Sequence, residues 1–480
     1  MKKQAFNPYL PSYEYVPDGE PYVFDDRLYV FGSHDAFGGS DFCVNDYVCW
    51  SAPVSDLGDW RYEGTIWSSI NDPISKGKKT SMNAPDVVRG ADGRYYLFYQ
   101  LMMQKVTTVL VADNPEGPYQ LHGHVKYPDG TLYGTRKGDP YCFDPAVLLD
   151  DDGQVYMYTG SVTTSKLLHF MMKLGGGVCD SGTVIRMEQD MLTVVPGSQK
   201  STIPGPFVTQ GTGFEGHGFF EASSIRKING RYYLVYSSEV SHDLCYATSD
   251  SPVGPWKYGG ILVSIGDIGL NGNTQATNYL GNTHGGMVEV NGQWYIFYHR
   301  QTNKQKCCRQ GCAEKIYFDE NGHIPQVEIT SCGLNDGPLK GEGTYEARIA
   351  CNLGYTEPCY GYLKTHEKDT LHPYFTQSGE DRENNGDQYI ANMRNGAWAG
   401  FKYFDFCGET KISVKVRGDG KGKLLVSTSR NGSPVAEISL DPSAEWTDFA
   451  GILHSVSGVY ALYFRYEGDG YIDFSEFTLQ

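Results

Sequence analysis

A short hairpin pattern recurs five times along this chain, and that recurrence limits its fold more than any other feature. A Gly-containing or Asp-rich turn is followed each time by alternating aromatic and aliphatic residues. The copies are Asp26-Arg27-Leu28-Tyr29-Val30-Phe31, Gly93-Arg94-Tyr95-Tyr96-Leu97-Phe98-Tyr99, Gly153-Gln154-Val155-Tyr156-Met157-Tyr158, Gly230-Arg231-Tyr232-Tyr233-Leu234-Val235-Tyr236 and Gly292-Gln293-Trp294-Tyr295-Ile296-Phe297-Tyr298. Their first residues lie 67, 60, 77 and 62 positions apart. An apolar run precedes each turn, among them Tyr22-Val23-Phe24 and Ala146-Val147-Leu148-Leu149. Run, tight turn, run is the signature of a β-hairpin. Later parts repeat too: Ala112-Asp113-Asn114-Pro115-Glu116-Gly117-Pro118-Tyr119 matches Ala247 through Pro255-Trp256. Units of about 65 residues, each too small to bury its own core, predict a five-bladed β-propeller with one four-stranded sheet per blade.

Composition excludes other classes. The chain has 480 residues and a net charge of −17, so it repels rather than attracts nucleic acid phosphates. No apolar run approaches the 18 residues of a membrane span. The start, Met1-Lys2-Lys3-Gln4-Ala5, lacks the apolar core of a secretory leader. Twelve cysteines without paired spacing read as free thiols, Cys307-Cys308 with Cys312 included. Together these predict a cytoplasmic chain, or a secreted one whose leader has been removed. Tyr 36, Phe 22 and Trp 7 are numerous, and aromatics both fill β cores and stack on sugar rings.

Aligning the five turns and stepping back eight or nine residues reaches the start of the first strand of each unit. The residues there are Asp18, Ala84, Asp144, Glu221 and His284, with Asn83 and Asp86 flanking the exception. In a propeller these points gather around one mouth of the central channel. Alone, Asp18-Gly19 and Asp144-Pro145 are ordinary turn starts, Glu221 an ordinary strand residue and His284 an ordinary loop histidine. Together they place carboxylates in one concavity, where they perturb each other's protonation. Glycosidic bond cleavage needs such a set: one carboxyl to protonate the leaving oxygen, another to activate water or attack the sugar.

Four segments, Val16-Pro17-Asp18-Gly19-Glu20-Pro21, Phe143-Asp144-Pro145-Ala146-Val147, Phe219-Phe220-Glu221-Ala222-Ser223-Ser224-Ile225 and Thr283-His284-Gly285-Gly286, resemble glycoside hydrolase family 43. The resemblance spans about residues 5–330. It implies a five-bladed propeller of inverting enzymes, with Asp18 as general base, Asp144 as the modulator of the acid and Glu221 as general acid. It implies further that His284 is an axial histidine facing the sugar or a bound cation, and that Arg309 reaches the sugar from the last blade. His34, Asn83 and Phe143 are added as candidate substrate contacts. No cofactor is required; a calcium near His284 would be structural. Where many members carry Asp-Pro and Glu-Gly-Pro, this chain has Asp18-Gly19 and Glu221-Ala222-Ser223. Residues 83–86, 101–107 and 207–217 are expected to shape the pocket rim.

After about residue 335 the hairpin repeat stops. Lys411-Ile412-Ser413-Val414-Lys415-Val416-Arg417 and Val459-Tyr460-Ala461-Leu462-Tyr463-Phe464 alternate inward and outward residues. Residues 336–480 therefore read as a β-sandwich. Gly400-Phe401-Lys402-Tyr403-Phe404-Asp405-Phe406 and the chain end resemble family 6 carbohydrate-binding modules, which bind sugar through exposed aromatics; Trp398 and Trp446 are the candidates, or else pack the core or the seam between domains. The expectation is an exo-glycosidase acting on oligosaccharides from plant polysaccharides, an α-L-arabinofuranosidase first. A β-xylosidase, β-galactofuranosidase or arabinanase is the alternative. A non-catalytic sugar-binding propeller and a protein scaffold are the readings from other classes.

Overall fold

The computed structural model describes residues 2–174, 178–357, 369–384, 386–454 and 456–480. Five antiparallel sheets follow one another along residues 20–316. The first holds β1 (Glu20–Phe24), β2 (Arg27–Phe31), β3 (Tyr47–Pro53) and β4 (Arg61–Trp67). The second holds β5 (Asp86–Arg89), β6 (Tyr95–Gln100), β7 (Thr107–Ala112) and β8 (Gln120–His124). The third holds β9 (Ala146–Leu149), β10 (Val155–Thr159), β11 (Ser181–Met187) and β12 (Lys200–Pro204). The fourth holds β13 (Phe219–Ile228), β14 (Arg231–Ser238), β15 (Asp243–Ser249) and β16 (Lys257–Ser264), and the fifth β17 (Met287–Val290), β18 (Gln293–Thr302) and β19 (Gln305–Ile316). All five expected hairpins form, each joining the first two strands of a blade. Asn229-Gly230 and Asn291-Gly292 have φ of 51°, 80°, 52° and 82°, as a two-residue turn between twisted strands requires.

Two features differ from the expectation. The fifth sheet has three strands rather than four. The N-terminal segment lies beside its outer strand instead: the Tyr9 amide donates to Gly311 O at 3.3 Å, and Asn7 exchanges side-chain bonds of 2.9 Å with both backbone groups of Ala313. The start of the chain thus closes the ring against its last blade. The second difference is a helix, α1 (Lys166–Leu174), carried on the connection between β10 and β11.

The repeated tyrosines fill the seams between blades rather than a sugar site. Tyr95 and Tyr99 pack with Tyr29 and Phe31 of the preceding blade, and Tyr232 and Tyr236 pack with Tyr156 and Tyr158. At roughly 25 cal/mol per Å² of apolar area, such rings supply much of the ring's cohesion. Every described cysteine is a free thiol.

The rest of the chain forms two six-stranded sheets packed face to face. One contains β20 (Leu339–Lys340), β22 (Asn352–Gly354), β25 (Trp398–Cys407), β27 (Lys421–Ser427), β28 (Pro434–Leu440) and β30 (Ser457–Asp469). The other contains β21 (Gly343–Glu346), β23 (Tyr374–Thr376), β24 (Tyr389–Arg394), β26 (Lys411–Gly418), β29 (Ser443–Ile452) and β31 (Tyr471–Leu479). Their inner faces share one core around Phe401, Phe404, Phe464, Phe474 and Phe477. The fold is therefore all-β, a five-bladed propeller followed by a β-sandwich. Neither candidate tryptophan of the sandwich has two open faces. Trp398 is buried with the Arg430 guanidinium 4.4 Å over its ring, and Trp446 carries Arg417 at 4.4 Å and Tyr389 at 5.3 Å.

Candidate active site

The first strand of every blade starts at the same mouth of the ring, so residues just before it converge. All five aligned positions, Asp18, Ala84, Asp144, Glu221 and His284, line one cavity of about 200 Å³. The backbone is bent to present them. Asp18 and Asp144 have φ of 57° and 46°, in the left-handed region that non-glycine residues avoid. Glu221 sits in a β-bulge of β13, between register shifts against β14, and Ala222 beside it has φ 67°. A bulge re-aims a side chain that regular pleating would point elsewhere. It also explains why glycine serves at the residue after the acid in the related pattern, and why Ala222 is strained there. Gly285 and Gly286 follow His284 because there is no room for more: a Cβ at Gly285 would lie 2.0 Å from Phe297 O, and one at Gly286 would lie 2.3 Å from Glu20 Oε2.

Asp18 is shifted in one direction, and Glu221 and Asp144 in the other. Asp18 is buried, which alone would favour its neutral form. Arg309 reverses that: its Nη1 donates to Asp18 Oδ1 at 2.9 Å, Ser33 donates to Oδ2, and the net effect holds the carboxyl below the usual range. The Asp18 amide donates to His299 Nδ1 at 3.2 Å, while His299 Nε2 lies 2.8 Å from Asn282 O. Burial, reinforced by Arg309, pushes His299 down to about 3, so a neutral ring accepts at Nδ1 and donates at Nε2. Among the described residues no cation is bonded to Glu221. Burial first, then the charge of Asp144, pushes it up to about 8. Asp144 is raised as well, by burial, with His284 opposing.

His284 lies between two carboxylates, Nδ1 3.6 Å from Asp144 Oδ2 and Nε2 3.7 Å from Glu20 Oε1. Burial opposes its charge, but those partners hold it well above the usual imidazole range. Below it the channel is ionic. Arg226 donates to Glu20 Oε2 at 3.0 Å, and Asp86 accepts from Tyr22 at 2.6 Å and from the Val147 amide at 2.7 Å. Burial and Glu20 raise Asp86 to about 7.

The remaining sequence candidates divide. Asn83, Phe143 and Arg309 line the cavity with the five aligned residues. His34 does not: it is buried, its Nδ1 lies 2.7 Å from Asp46 O, and burial pushes it down to about 3, which favours a neutral ring. Of the expected rim segments, 83–86 and 101–107 contribute Asn83, Ala84 and Met102, while nothing from 207–217 reaches the lining. Phe42, Cys43, Met102, Phe220 and Asn282 complete the wall. Phe42 and Cys43 come from the β2–β3 loop, which has no counterpart in the repeat and so left no signal. Asp35, at the start of that loop, takes the other side of Arg309: Nε and Nη2 donate to its two oxygens at 2.8 and 3.0 Å.

Near the axis Glu20 Oε1 and His284 Nε2 lack a hydrogen-bond partner and lie 3.7 Å from each other, with Arg226 neutralising Glu20; the protein offers a calcium two donors there, and water would have to supply the rest of its six to eight ligands. Among the described residues one group has metal-ligand spacing, His169, Cys179 and Asp180, away from the cavity. There Asp180 is already bound to His169 at 2.7 Å and Lys173 at 3.0 Å.

Comparison with known proteins agrees with this geometry. The profile of Glycosyl hydrolases family 43 matches residues 15–324. A xylosidase/arabinosidase from Thermoclostridium stercorarium is 48% identical, across 100% of this chain and 99% of its own length. A family 43 enzyme of Xanthomonas citri complexed with xylose superposes with a TM-score of 0.53 at 26% identity, over 68% of this chain and 93% of its own. An arabinoxylan arabinofuranohydrolase from Bacillus subtilis in complex with cellotetraose shares the fold of both domains, with a TM-score of 0.52 at 21% identity, over 99% of this chain and 97% of its own. Five blades, three convergent carboxyls and a profile match over most of the propeller lead to one assignment: the chain belongs to glycoside hydrolase family 43.

Proposed function

We propose that this glycoside hydrolase is an inverting, exo-acting enzyme that removes terminal α-L-arabinofuranosyl residues from oligosaccharides of plant polysaccharides. One observation carries the mechanism. Within a single cavity Asp18 is driven toward its ionised form and Glu221 toward its protonated form. Titratable neighbours pushed apart in this way mark the base and the acid. Asp18, kept anionic by Arg309, takes a proton from the attacking water. Glu221 gives its proton to the glycosidic oxygen as the bond to the anomeric carbon breaks. Solvent exchange returns both groups to their starting states. Burial first and the Asp144 charge second favour protonated Glu221, and His284 balances the charge of Asp144. A cavity of only about 200 Å³ suits a single sugar at the chain end, which supports exo action. Hydrolysis in this family needs no cofactor, and we place no metal in the mechanism.

A second reading, β-xylosidase, is favoured by the double name of the 48% identical relative and by the xylose held in the Xanthomonas citri enzyme. Nitrophenyl α-L-arabinofuranoside, β-D-xylopyranoside and β-D-galactofuranoside, assayed side by side with Asp18→Asn, separate these readings. The expected result is fastest cleavage of the arabinofuranoside, inverted product by NMR, and loss of activity in the variant. A retained product configuration, or an active Asp18→Asn, would overturn the mechanism.

A further inference from the structure

The loop between β2 and β3 carries Asp35, Phe42 and Cys43, and so supplies both the second anchor of Arg309 and one wall of the cavity. Within the loop, the Cys43 amide donates to Asp35 Oδ1 at 2.9 Å and the Asn45 side chain to Asp35 O at 2.9 Å. Its outer side is held from the other domain. The β23–β24 hairpin of the sandwich reaches over the propeller, where Asp381 accepts from the Phe37 amide at 2.6 Å with Oδ1 and from Asn45 Nδ2 at 3.0 Å with Oδ2. One carboxylate therefore ties both ends of the loop. The hairpin is itself pinned. Tyr15 donates to Gln377 at 2.6 Å, Ser12 to Gly386 O at 3.0 Å, and Arg382 lies 3.6 Å from Glu14, which accepts from Trp50 at 2.7 Å.

We infer that Asp381 of the sandwich is a positioning residue for hydrolysis: it holds the 35–45 loop closed on Arg309, so the second domain is a working part of the catalytic pocket. The chemistry is that of a charge-assisted double acceptor on a loop that has no strand pairing of its own. The inference rests on the cavity being the hydrolytic site. Without the tether Phe42 retreats from Arg309, whose guanidinium it faces at 4.9 Å, and Asp35 follows the loop. Arg309 is then shared less firmly with Asp18, whose carboxyl becomes easier to protonate.

The test uses the full chain with Asp381→Ala, and Thr376→Val as control. Thr376 gives the neighbouring strand a 3.0 Å bond to Asn303 but touches nothing in the loop. Misplacement of the pocket wall is expected to lower kcat/KM by roughly ten- to a hundredfold in Asp381→Ala. The acidic limb of its pH profile should rise. Alkylation of buried Cys43 by iodoacetamide, mapped by mass spectrometry, should accelerate about tenfold or more as the loop opens. Thr376→Val should match wild type in all three. If Asp381→Ala does not fold, Asn45→Ala cuts one arm of the same tether from the propeller side and is expected to move the same readouts in the same direction. Wild-type values in both tether variants would overturn the inference. A wild-type enzyme that cleaves nothing would instead defeat the reading of the cavity, and Cys43 labelling still reports the tether in that event.

Discussion

Replacing Asp144 by Asn removes a charge from beside the acid while keeping its shape. Two forces raise Glu221, burial first and the Asp144 carboxylate second, with His284 opposing. For carboxylates sharing one pocket at about 5–6 Å, an effective dielectric of about 20 gives roughly 3 kcal/mol, or about two pKa units. The His284 imidazolium, 3.6 Å from Asp144, already cancels part of that field. The net expectation is a fall of about one to one and a half units, leaving Glu221 well above an ordinary glutamic acid because burial is untouched. The sign follows directly. Activity requires protonated Glu221, so the basic limb of kcat/KM sits at the acid's pKa and moves down with it. At pH 7 an acid with its pKa at about 8 is roughly nine-tenths protonated, and one at about 6.6 only about a quarter. The variant should therefore lose about threefold more activity at pH 7 than at pH 5.5, on top of any uniform loss. The assay is a kcat/KM profile on an arabinofuranosyl-substituted xylo-oligosaccharide, whose sugar leaving group must be protonated. His284 supplies the counter-argument. If it surrendered its proton once Asp144 was neutral, Glu221 would lose an opposing cation and the limb would climb. Glu20 remains 3.7 Å from the ring to prevent that. A basic limb that stays at its wild-type position, or moves up, refutes the reasoning.

Three further outcomes are expected. Glu221→Gln should lose about 10²–10⁴-fold on oligosaccharides but far less on nitrophenyl glycosides, which leave without a proton; equal losses on both would remove Glu221 from the acid role. Lys402 is buried between Asp267 at 3.0 Å and Glu328 at 2.8 Å, where the sandwich meets the propeller, so Lys402→Met strands two carboxylates and should cost about 3–5 kcal/mol in urea unfolding; a cost below about 1 kcal/mol would mean the pair is solvated in practice. Treatment with EDTA should leave kcat/KM unchanged, since the axial donors are too few to hold calcium tightly; loss of activity restored by calcium alone would assign Glu20 and His284 to a cation after all.

Most of the propeller was legible because it is periodic. A repeated turn fixes strand order, and strand order in a ring fixes which ends meet, so Asp18, Ala84, Asp144, Glu221 and His284 could be placed in one mouth from spacing alone. Chemistry within that mouth was less legible. Whether a carboxyl there is ionised depends on what faces it, and Arg309 comes 291 positions later to Asp18. The ring is closed by Asn7 and Tyr9 because the first four-stranded sheet starts only at Glu20, leaving an earlier segment free to lie beside β19. His34 stands outside the lining for a reason that spacing does not show: it is buried with Nδ1 beside the Asp46 carbonyl, and burial favours its neutral ring.

What no repeat could reveal is how the pocket wall is finished. Asp35, Phe42 and Cys43 occur once, in a connection whose length varies from blade to blade, and Asp381, which binds that connection at Phe37 and Asn45, lies in another domain. A loop that must approach a buried arginine needs acceptors for its own amides, and a propeller face offers few, since its strands spend theirs within each sheet. The β23–β24 hairpin supplies them. Contacts of this kind follow from one fold resting on another, not from the pattern of either. Each sandwich tryptophan likewise carries an arginine over its ring, Arg430 on Trp398 and Arg417 on Trp446. The second domain serves this molecule first through where it sits, with its loop on the rim of the site, and the sequence of that loop carries meaning only once Phe37 and Asn45 are seen beside it.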